Sequence, residues 1–285
     1  FAQDEIKLLR NLQALIGVRY IYHENFKNHA TPNVALMYKP GKFNFRASYA
    51  AGFRTPTLSE LYATDIAKKN DRLTIGNLDL KPEKNNYFSL SAEYVHERFS
   101  VSVNAFYNNI RDMIDYNTIA TGDKAMEQYG HKEVRQRDNI AEAKVHGINV
   151  SANAYLGAGF NLSGGYTHLN TQDVELEQPI DKSIKNAYNI NAQWAHSWKI
   201  YRLNINLNGR INSKRFSKSY GYAPEYQLWD LNTRHSFNLK SVIIEPGCGM
   251  ENLFDYMDDR PYNSNYATLT PGRSFYISLS LKFKS

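Results

Sequence analysis

The sequence predicts an all-β fold in which antiparallel strands cross a membrane as part of a transmembrane β-barrel. Apolar and polar residues alternate along the whole chain, and short and long connections follow one another in turn. A mean hydropathy of −0.57, with no long apolar run anywhere, excludes membrane-spanning helices. A polar average still fits a barrel, because only every second residue of such a strand faces lipid.

The alternation is clearest in the C-terminal segment "SFYISLSLKF". One face is wholly apolar and comprises Phe275, Ile277, Leu279, Leu281 and Phe283. Residues 201–211 and 189–198 repeat the pattern, with polar faces rich in Asn and Arg. Segments of this kind predict about thirteen strands of a length suited to a tilted membrane crossing. They lie near 1–9, 12–22, 33–39, 43–52, 86–96, 99–109, 141–155, 159–169, 188–198, 201–211, 227–238, 241–251 and 272–283.

The connections between these strands are of two alternating kinds. Tight turns are predicted at 40–42, 97–98, 157–159, around Lys199 and at 239–240. Longer excursions are predicted at 23–32, 53–85, 110–140, 170–187, 212–226 and 252–271. Hairpins at one end of a sheet and loops at the other are typical of outer-membrane barrels, with short periplasmic turns and long extracellular loops.

Composition narrows the classes of function. A single cysteine, Cys248, excludes an internal disulfide and a multi-cysteine metal cage. The net charge of +6 is scattered and no nucleic-acid motif accompanies it, so no nucleic-acid partner is expected. No spacing typical of a catalytic triad, phosphate loop or HExxH site occurs, so we expect neither an enzyme nor a bound cofactor.

Several motifs occur in an order that resembles a known family. These are "GFRTPTLSELY" (52–62), "GNLDLKPEKNN" (76–86), and the ending that runs from "ENLFD" to "PGRSFYISLSLKF" (251–283). Together with "FAQDEIKL" and "LIGVRY" near the start, they resemble the C-terminal barrel of TonB-dependent outer-membrane receptors over essentially the whole chain.

The resemblance implies a 22-stranded barrel in the bacterial outer membrane, closed by an N-terminal plug through which TonB acts. Residues 1–285 would then be the C-terminal portion of that barrel. The N-terminus lacks an initiator Met and the apolar stretch of a signal peptide, so we expect the plug and the first strands to lie outside this sequence. A partial barrel would have unpaired edges, which are costly in lipid.

For function, the resemblance implies TonB-energised uptake of an iron chelate, either a siderophore or haem. A corrinoid (cobalamin) importer of the same family, a passive porin-like barrel and a soluble all-β binding module remain open alternatives. Haem receptors of the family carry a haem-ligating His between similar motifs. Residues 53–83 contain no His, which weakens the haem hypothesis for this loop.

Candidate ligand-binding residues are cationic and aromatic side chains of the predicted loops. Cations would attract an anionic chelate, and tyrosines offer flat amphipathic surfaces, although ordinary loops facing anionic lipopolysaccharide would have a similar composition. The candidates are Arg54, Tyr62, Tyr129, His131, Arg135, Tyr220, Tyr222 and Tyr266. The sequence leaves any metal ligand unknown.

The remaining expectations concern partners and assembly. The partners implied are TonB, the N-terminal remainder of the receptor, outer-membrane lipid and lipopolysaccharide, a surface lipoprotein and the metal-chelate ligand. The alternating residues 275–283 also resemble the C-terminal signal read by the barrel-assembly machinery. Two further residues, Lys284 and Ser285, depart from its commonest form.

Overall fold

The computed structural model describes residues 1–217, 221–258 and 270–284, with Ala141 described by its backbone alone. Thirteen of its strands lie side by side in one antiparallel path, ordered β1-β2-β3-β4-β7-β8-β9-β10-β11-β12-β15-β16-β17. This confirms the thirteen predicted strands. We call the sheet that they form the wall; the predicted tight turns are at its turn end and the predicted long connections at its loop end. Among the described residues, β1 and β17 each pair with a single neighbour, so the wall is open at both edges. No helix in that part of the chain is long and apolar enough to span a membrane.

The elements follow one another in chain order, with two short helices between the strands. They are β1 Ala2–Leu9, β2 Leu12–His23, β3 Lys27–Tyr38, β4 Phe43–Arg54, α1 Leu58–Tyr62, β5 Thr64–Ala67, β6 Arg72–Ile75, β7 Glu83–Val95, β8 Phe99–Thr121, α2 Gly122–Tyr129, β9 Glu133–Gly157, β10 Phe160–Asp173, β11 Asn186–Trp198, β12 Tyr201–Asn212, β13 Arg215–Ser217, β14 Gly221–Ala223, β15 Tyr226–Asn238, β16 Val242–Glu251 and β17 Ser274–Phe283.

The turn between β9 and β10 illustrates how the sequence sets the tight connections. Ala158 and Gly159 both have positive φ, 49° and 86°, as a type I′ hairpin turn requires. A Cβ on Gly159 would lie 2.0 Å from the carbonyl oxygen of Ala195, so the neighbouring strand also demands glycine there. The predicted turn at 157–159 is therefore confirmed.

Two of the predicted loops are wrong. Residues 23–32 form a tight hairpin, because β2 and β3 pair continuously up to His23 and Lys27 and leave three residues in the turn. Residues 110–140 are mostly strand, because β8 continues to Thr121 and β9 begins at Glu133. Residues 110–121 are rich in β-branched residues, so backbone pairing continues there past the membrane-length segment, whereas residues 23–32 have no such bias.

The wall has one apolar and one polar face, as the alternation predicts. Cross-strand register aligns Val34, Tyr49, Phe88 and Tyr107 on the apolar face. On the opposite face, Asn191 Nδ2 donates to the Oδ1 atoms of Asn206 and Asn208 at 2.6 and 2.7 Å. The apolar side chains are exposed, as expected for a lipid-facing surface, while the polar side chains bond to one another across strands.

Aromatic rings cluster on the apolar face at the turn end of the wall. The rings of His196 and Trp198 lie 4.4 Å apart, and Tyr201 stacks on Trp198 at 5.5 Å. Such rings form the girdle at a membrane interface. On β17, Phe275, Ile277 and Phe283 are among the most exposed apolar residues, and register with β16 places them on this same face.

Candidate functional site

The loop end of the wall carries a folded unit that we call the cap, defined as residues 55–82 and 110–140. Its first part begins with helix α1, which has a capping box. The Thr57 hydroxyl accepts from the Glu60 backbone N–H at 3.2 Å, and the Glu60 carboxylate accepts from the Thr57 N–H at 2.8 Å. The motif "TPTLSE" therefore starts a helix at Leu58, with three residues between it and the end of β4.

Arg54, the last residue of β4, joins three parts of the loop end. Its guanidinium donates to both oxygens of Glu83 at 2.6 and 2.8 Å, and to both oxygens of Glu60 at 2.8 and 3.1 Å. Glu83 opens β7 and also accepts from the Ile114 N–H of β8 at 2.8 Å. The planar fork of arginine suits such paired carboxylates. Arg54 thus ties the start of the cap to the strand that follows it.

Arg54, Glu60 and Glu83 form a triad of ionised groups, in which Arg54 and each carboxylate stabilise one another's charged form. Burial opposes ionisation of Glu60, but hydrogen bonds from Arg54 and Thr57 outweigh it and lower the pKa of that carboxyl to about 2. Burial likewise opposes ionisation of Glu83, and hydrogen bonds from Arg54 and the Ile114 N–H lower its pKa. The two carboxylates in turn raise the pKa of Arg54. All three groups are therefore charged at neutral pH.

A small apolar core holds the cap together. Leu61 of α1, Leu80 of the "GNLDL" motif and Ile114 of β8 form a buried cluster, and Phe26 from the β2–β3 turn packs against it. Leu80 is 3% exposed and Leu61 7%. The two sequence motifs of the 53–85 loop are therefore halves of one packed unit.

Backbone contacts fix the second motif against α1. The Gly76 N–H donates to the Ala63 carbonyl at 2.8 Å, and the Asn77 N–H donates to the Glu60 carbonyl at 3.0 Å. A Cβ on Gly76 would lie 2.5 Å from the carbonyl oxygen of Leu61, so a larger residue cannot fit without displacing backbone. Close approach explains the glycine in "GNLDL".

Asn139 of β9 anchors the end of the same motif. Its side chain accepts from the Lys81 N–H at 2.7 Å and donates to the Lys81 and Asp112 carbonyls at 2.9 and 2.6 Å. One amide side chain therefore satisfies backbone groups of two segments that sequence separates widely. The 55–82 segment is fixed to the β8–β9 hairpin at this point.

A second attachment is a short parallel ladder. Strand β6, residues 72–75, pairs with residues 133–136 of β9, and β5 pairs with β6. At its start, the His131 Nδ1–H donates to the Asp71 carboxylate at 2.8 Å, and the hydrogen bond from His131 lowers the pKa of Asp71. Val134, which pairs with Leu73 within the ladder, is fully buried.

The structure brings some of the predicted ligand-binding residues together. Arg54, Tyr62, His131, Arg135 and Tyr129 all belong to the cap or its junction with β4. Tyr62 is 61% exposed, and Arg135 pairs with Glu133. Tyr222 is exposed on the separate β13–β14 hairpin, with its ring 5.3 Å from that of Phe216. Tyr220 and Tyr266 lie outside the described residues.

Sequence reasoning missed a cation–aromatic pair on the upper part of the hairpin. The Arg137 guanidinium carbon lies 3.6 Å from the Tyr116 ring centroid. Register pairs these two residues directly across β8 and β9. The signal was available, because residues 99–121 contain neither Gly nor Pro and so favour an unbroken strand.

The cap holds no preformed metal centre in the part of the chain that the structure describes, where no three His, Cys, Asp or Glu side chains cluster. The arrangement offers a packed platform along a β8–β9 extension of about 40 Å of strand, with cations and tyrosines on it. Such a surface suits recognition of an anionic, flat or chelated ligand by hydrogen bonds, stacking and charge.

The fold and the cap define this chain as a section of a membrane β-barrel with a built-up loop end. The family model described as "TonB dependent receptor-like, beta-barrel" matches residues 1–253. The chain therefore belongs to the TonB-dependent receptor β-barrel family, and its strands are outer-membrane strands. This excludes the soluble all-β module.

Solved structures of similar fold include siderophore receptors. A mutant of the ferric enterobactin receptor PfeA from Pseudomonas aeruginosa superposes with a TM-score of 0.78 at 20% identity, over 99% of this chain and 44% of that one. For the siderophore receptor PirA from the same organism, the values are 0.73, 17%, 99% and 47%. For BauA, the ferric preacinetobactin receptor from Acinetobacter baumannii, they are 0.71, 18%, 99% and 42%. The chain thus spans less than half the length of each.

Proposed function

We propose that this chain is the C-terminal part of a receptor that takes up a ferric siderophore across the outer membrane, energised by TonB through a plug that precedes it. The observation that carries the proposal is the cap, a packed unit fixed to the wall by Arg54, Asn139 and the β6–β9 ladder. A transporter that must hold a scarce ligand needs such a preorganised surface, whereas a passive pore does not.

Residues 131–137 of the cap carry the cations Lys132, Arg135 and Arg137 with Glu133 as the one carboxylate of that stretch, and this local positive charge suits an anionic iron chelate. Arg137 is stacked on Tyr116, and Arg135 and His131 lie on the same hairpin. The similar receptors named for ferric enterobactin and ferric preacinetobactin support this class of cargo. A corrinoid or haem is the second candidate. The Asp71–His131 pair orients one imidazole, as a haem ligand would require.

Within this proposal the candidate residues take different roles. The ligand would contact Tyr62, Tyr129, His131, Arg135 and Tyr222. Tyr220 and Tyr266, which lie outside the described residues, would contact it as well. Arg54 would position the cap, because carboxylates accept from two edges of its guanidinium group, Glu83 from one and Glu60 from the other. The protein would act as a receptor and not as an enzyme, with a surface lipoprotein as a further partner.

The test compares the binding of ferric enterobactin, a ferric hydroxamate, haem and cobalamin to the purified receptor. Intrinsic tryptophan fluorescence reports the binding. We expect nanomolar affinity for a ferric siderophore and a loss of about tenfold when Arg135 and Arg137 are both changed to Gln. The matched control is Arg98→Gln in a turn at the opposite end of the wall. Nanomolar binding of cobalamin or haem alone would overturn the siderophore proposal.

A further inference from the structure

The lipid-facing side of the wall carries a cationic cluster at its loop end. Register pairs Lys84 of β7 with Arg111 of β8, and Asn109 of β8 with Lys144 of β9. By strand alternation all of these lie on the same apolar face as Phe88 and Tyr107, two to four residues nearer the loop end. The cluster therefore points to the membrane side of the wall, away from the polar face.

The cluster has an uncompensated positive charge. Among the described residues, Glu142 is the one carboxylate that pairs with it, with its Oε1 atom 4.0 Å from Arg111 Nε and 3.9 Å from Lys144 Nζ. Both distances are at the limit of an ion pair, and Lys84 and the Arg111 side chain are exposed. Three cations facing one anion leave a site that attracts negative charge.

A buried polar atom lies directly below these cations. Asn109 is 8% exposed, and its Oδ1 atom has no hydrogen-bond partner among the described residues. Its cross-strand neighbour Asn86 accepts from the Tyr49 hydroxyl at 2.8 Å. Asn86 and Asn109 thus form a polar band across β7 and β8, in which the half-buried Asn86 amide can meet a group from outside the protein, whereas the Asn109 oxygen is enclosed by the protein itself.

Immediately below the polar band is an apolar groove of about 570 Å³. Its walls are the aromatic rings of Tyr49, Phe88 and Tyr107, and its floor is lowered by the small side chains of Ala47 and Ala105. Cations, amides and groove thus follow one another down the lipid face within a few residues of strand. The same order, charge then polar linkage then hydrocarbon, describes a phosphorylated lipid.

We propose that this face is a docking site for one phosphate-bearing lipid of the outer leaflet. Lys84, Arg111 and Lys144 would bind the phosphate, Asn86 the polar linkage, and the groove one acyl chain. This goes beyond ligand uptake, because it assigns a structural lipid to the outside of the barrel, on strands β7 to β9. A lipid bound there would brace the base of the β8–β9 hairpin that carries the cap.

The experiment measures lipid retained by the purified protein in detergent micelles, by native mass spectrometry, with lipid A, its dephosphorylated form and inorganic phosphate as probes. We expect one lipid A per protein, retained about tenfold less by the combined variant Lys84→Gln, Arg111→Gln, Lys144→Gln. The matched control removes the same charge from the turn end, as Lys39→Gln, Lys42→Gln, Lys240→Gln, and retains lipid A normally.

A second variant tests the groove without touching the charges. Ala105→Phe would fill the groove and lower lipid A retention severalfold, while gel mobility of the unheated protein reports that the barrel is intact. Equal retention by the wild type and the charge variant would overturn the proposal. Retention of dephosphorylated lipid at the level of lipid A, or inorganic phosphate binding as tightly as lipid A, would overturn it too.

Discussion

The wall and the cap are stabilised in opposite ways. In the wall, apolar side chains face outward to lipid and polar ones face each other, so backbone pairing along long strands carries most of the order. In the cap, apolar side chains point into a small core around Leu61 and Leu80, and ion pairs such as Arg54–Glu60 stabilise its edge. The wall depends on many equivalent pairs, whereas the cap depends on a few particular residues. Single substitutions should therefore damage the cap far more than the wall.

The largest effect is expected at Gly76. Gly76→Val would press a side chain into the backbone of Leu61 and Tyr62, at a cost of about 3 kcal/mol of cap stability. Hydrogen exchange of residues 58–81 would rise, while the wall strands keep their protection. Gly164→Ala on the wall is the control, because its Cβ meets nothing closer than 3.5 Å. Unchanged exchange in the cap would contradict the packed arrangement.

Removal of Arg54 should come next. Arg54→Met leaves Glu60 and Glu83 close together without their shared cation, and we expect the cap to lose about 1–2 kcal/mol, since Arg54 is partly exposed. Protease cleavage within 55–82 would reveal it. Arg98→Met in an exposed turn removes the same charge without a carboxylate pair. If both variants are cleaved at the same rate, the triad does not hold the cap.

Acid should loosen the cap before the wall. The pKa of Glu60 is lowered from 4.5 to about 2, so its stabilisation is complete above pH 4.5, declines as pH falls, and is lost below about 2. The lowered pKa of Glu83 acts in the same direction. Protection factors of residues 58–62 between pH 6 and 2.5 would measure it. Glu60→Gln should flatten this dependence, and a slope that persists in that variant would assign it elsewhere.

The smallest effect is expected in the wall. Asn191→Ala removes two side-chain hydrogen bonds, to Asn206 and Asn208, and we expect a loss of about 1 kcal/mol in urea unfolding followed by tryptophan fluorescence. Cap protection should not change. A loss as large as that of Gly76→Val would mean that the wall also depends on single residues.

Much of the wall was predictable from sequence. The excursion predicted at 53–85 matches the connection between β4 and β7, because β4 ends at Arg54 and β7 begins at Glu83. Residues 110–140 were wrongly predicted to be a loop, because strands beyond the membrane have no lipid-facing apolar residues and so lack the regular alternation that identifies the other strands. Strands outside a membrane bury their faces against other elements, and such patterns are irregular.

The sequence alone determined the strand number, the two faces, the turn end and the family, because lipid imposes a period of two on every crossing. Only the tertiary structure decided that "FRTPTLSELY" and "GNLDLKPE" are one unit, since their contacts run through Gly76, Arg54 and Asn139 across distant segments. It also placed Lys84, Arg111 and Lys144 together. Those groupings depend on cross-strand register, which no local pattern along one strand records.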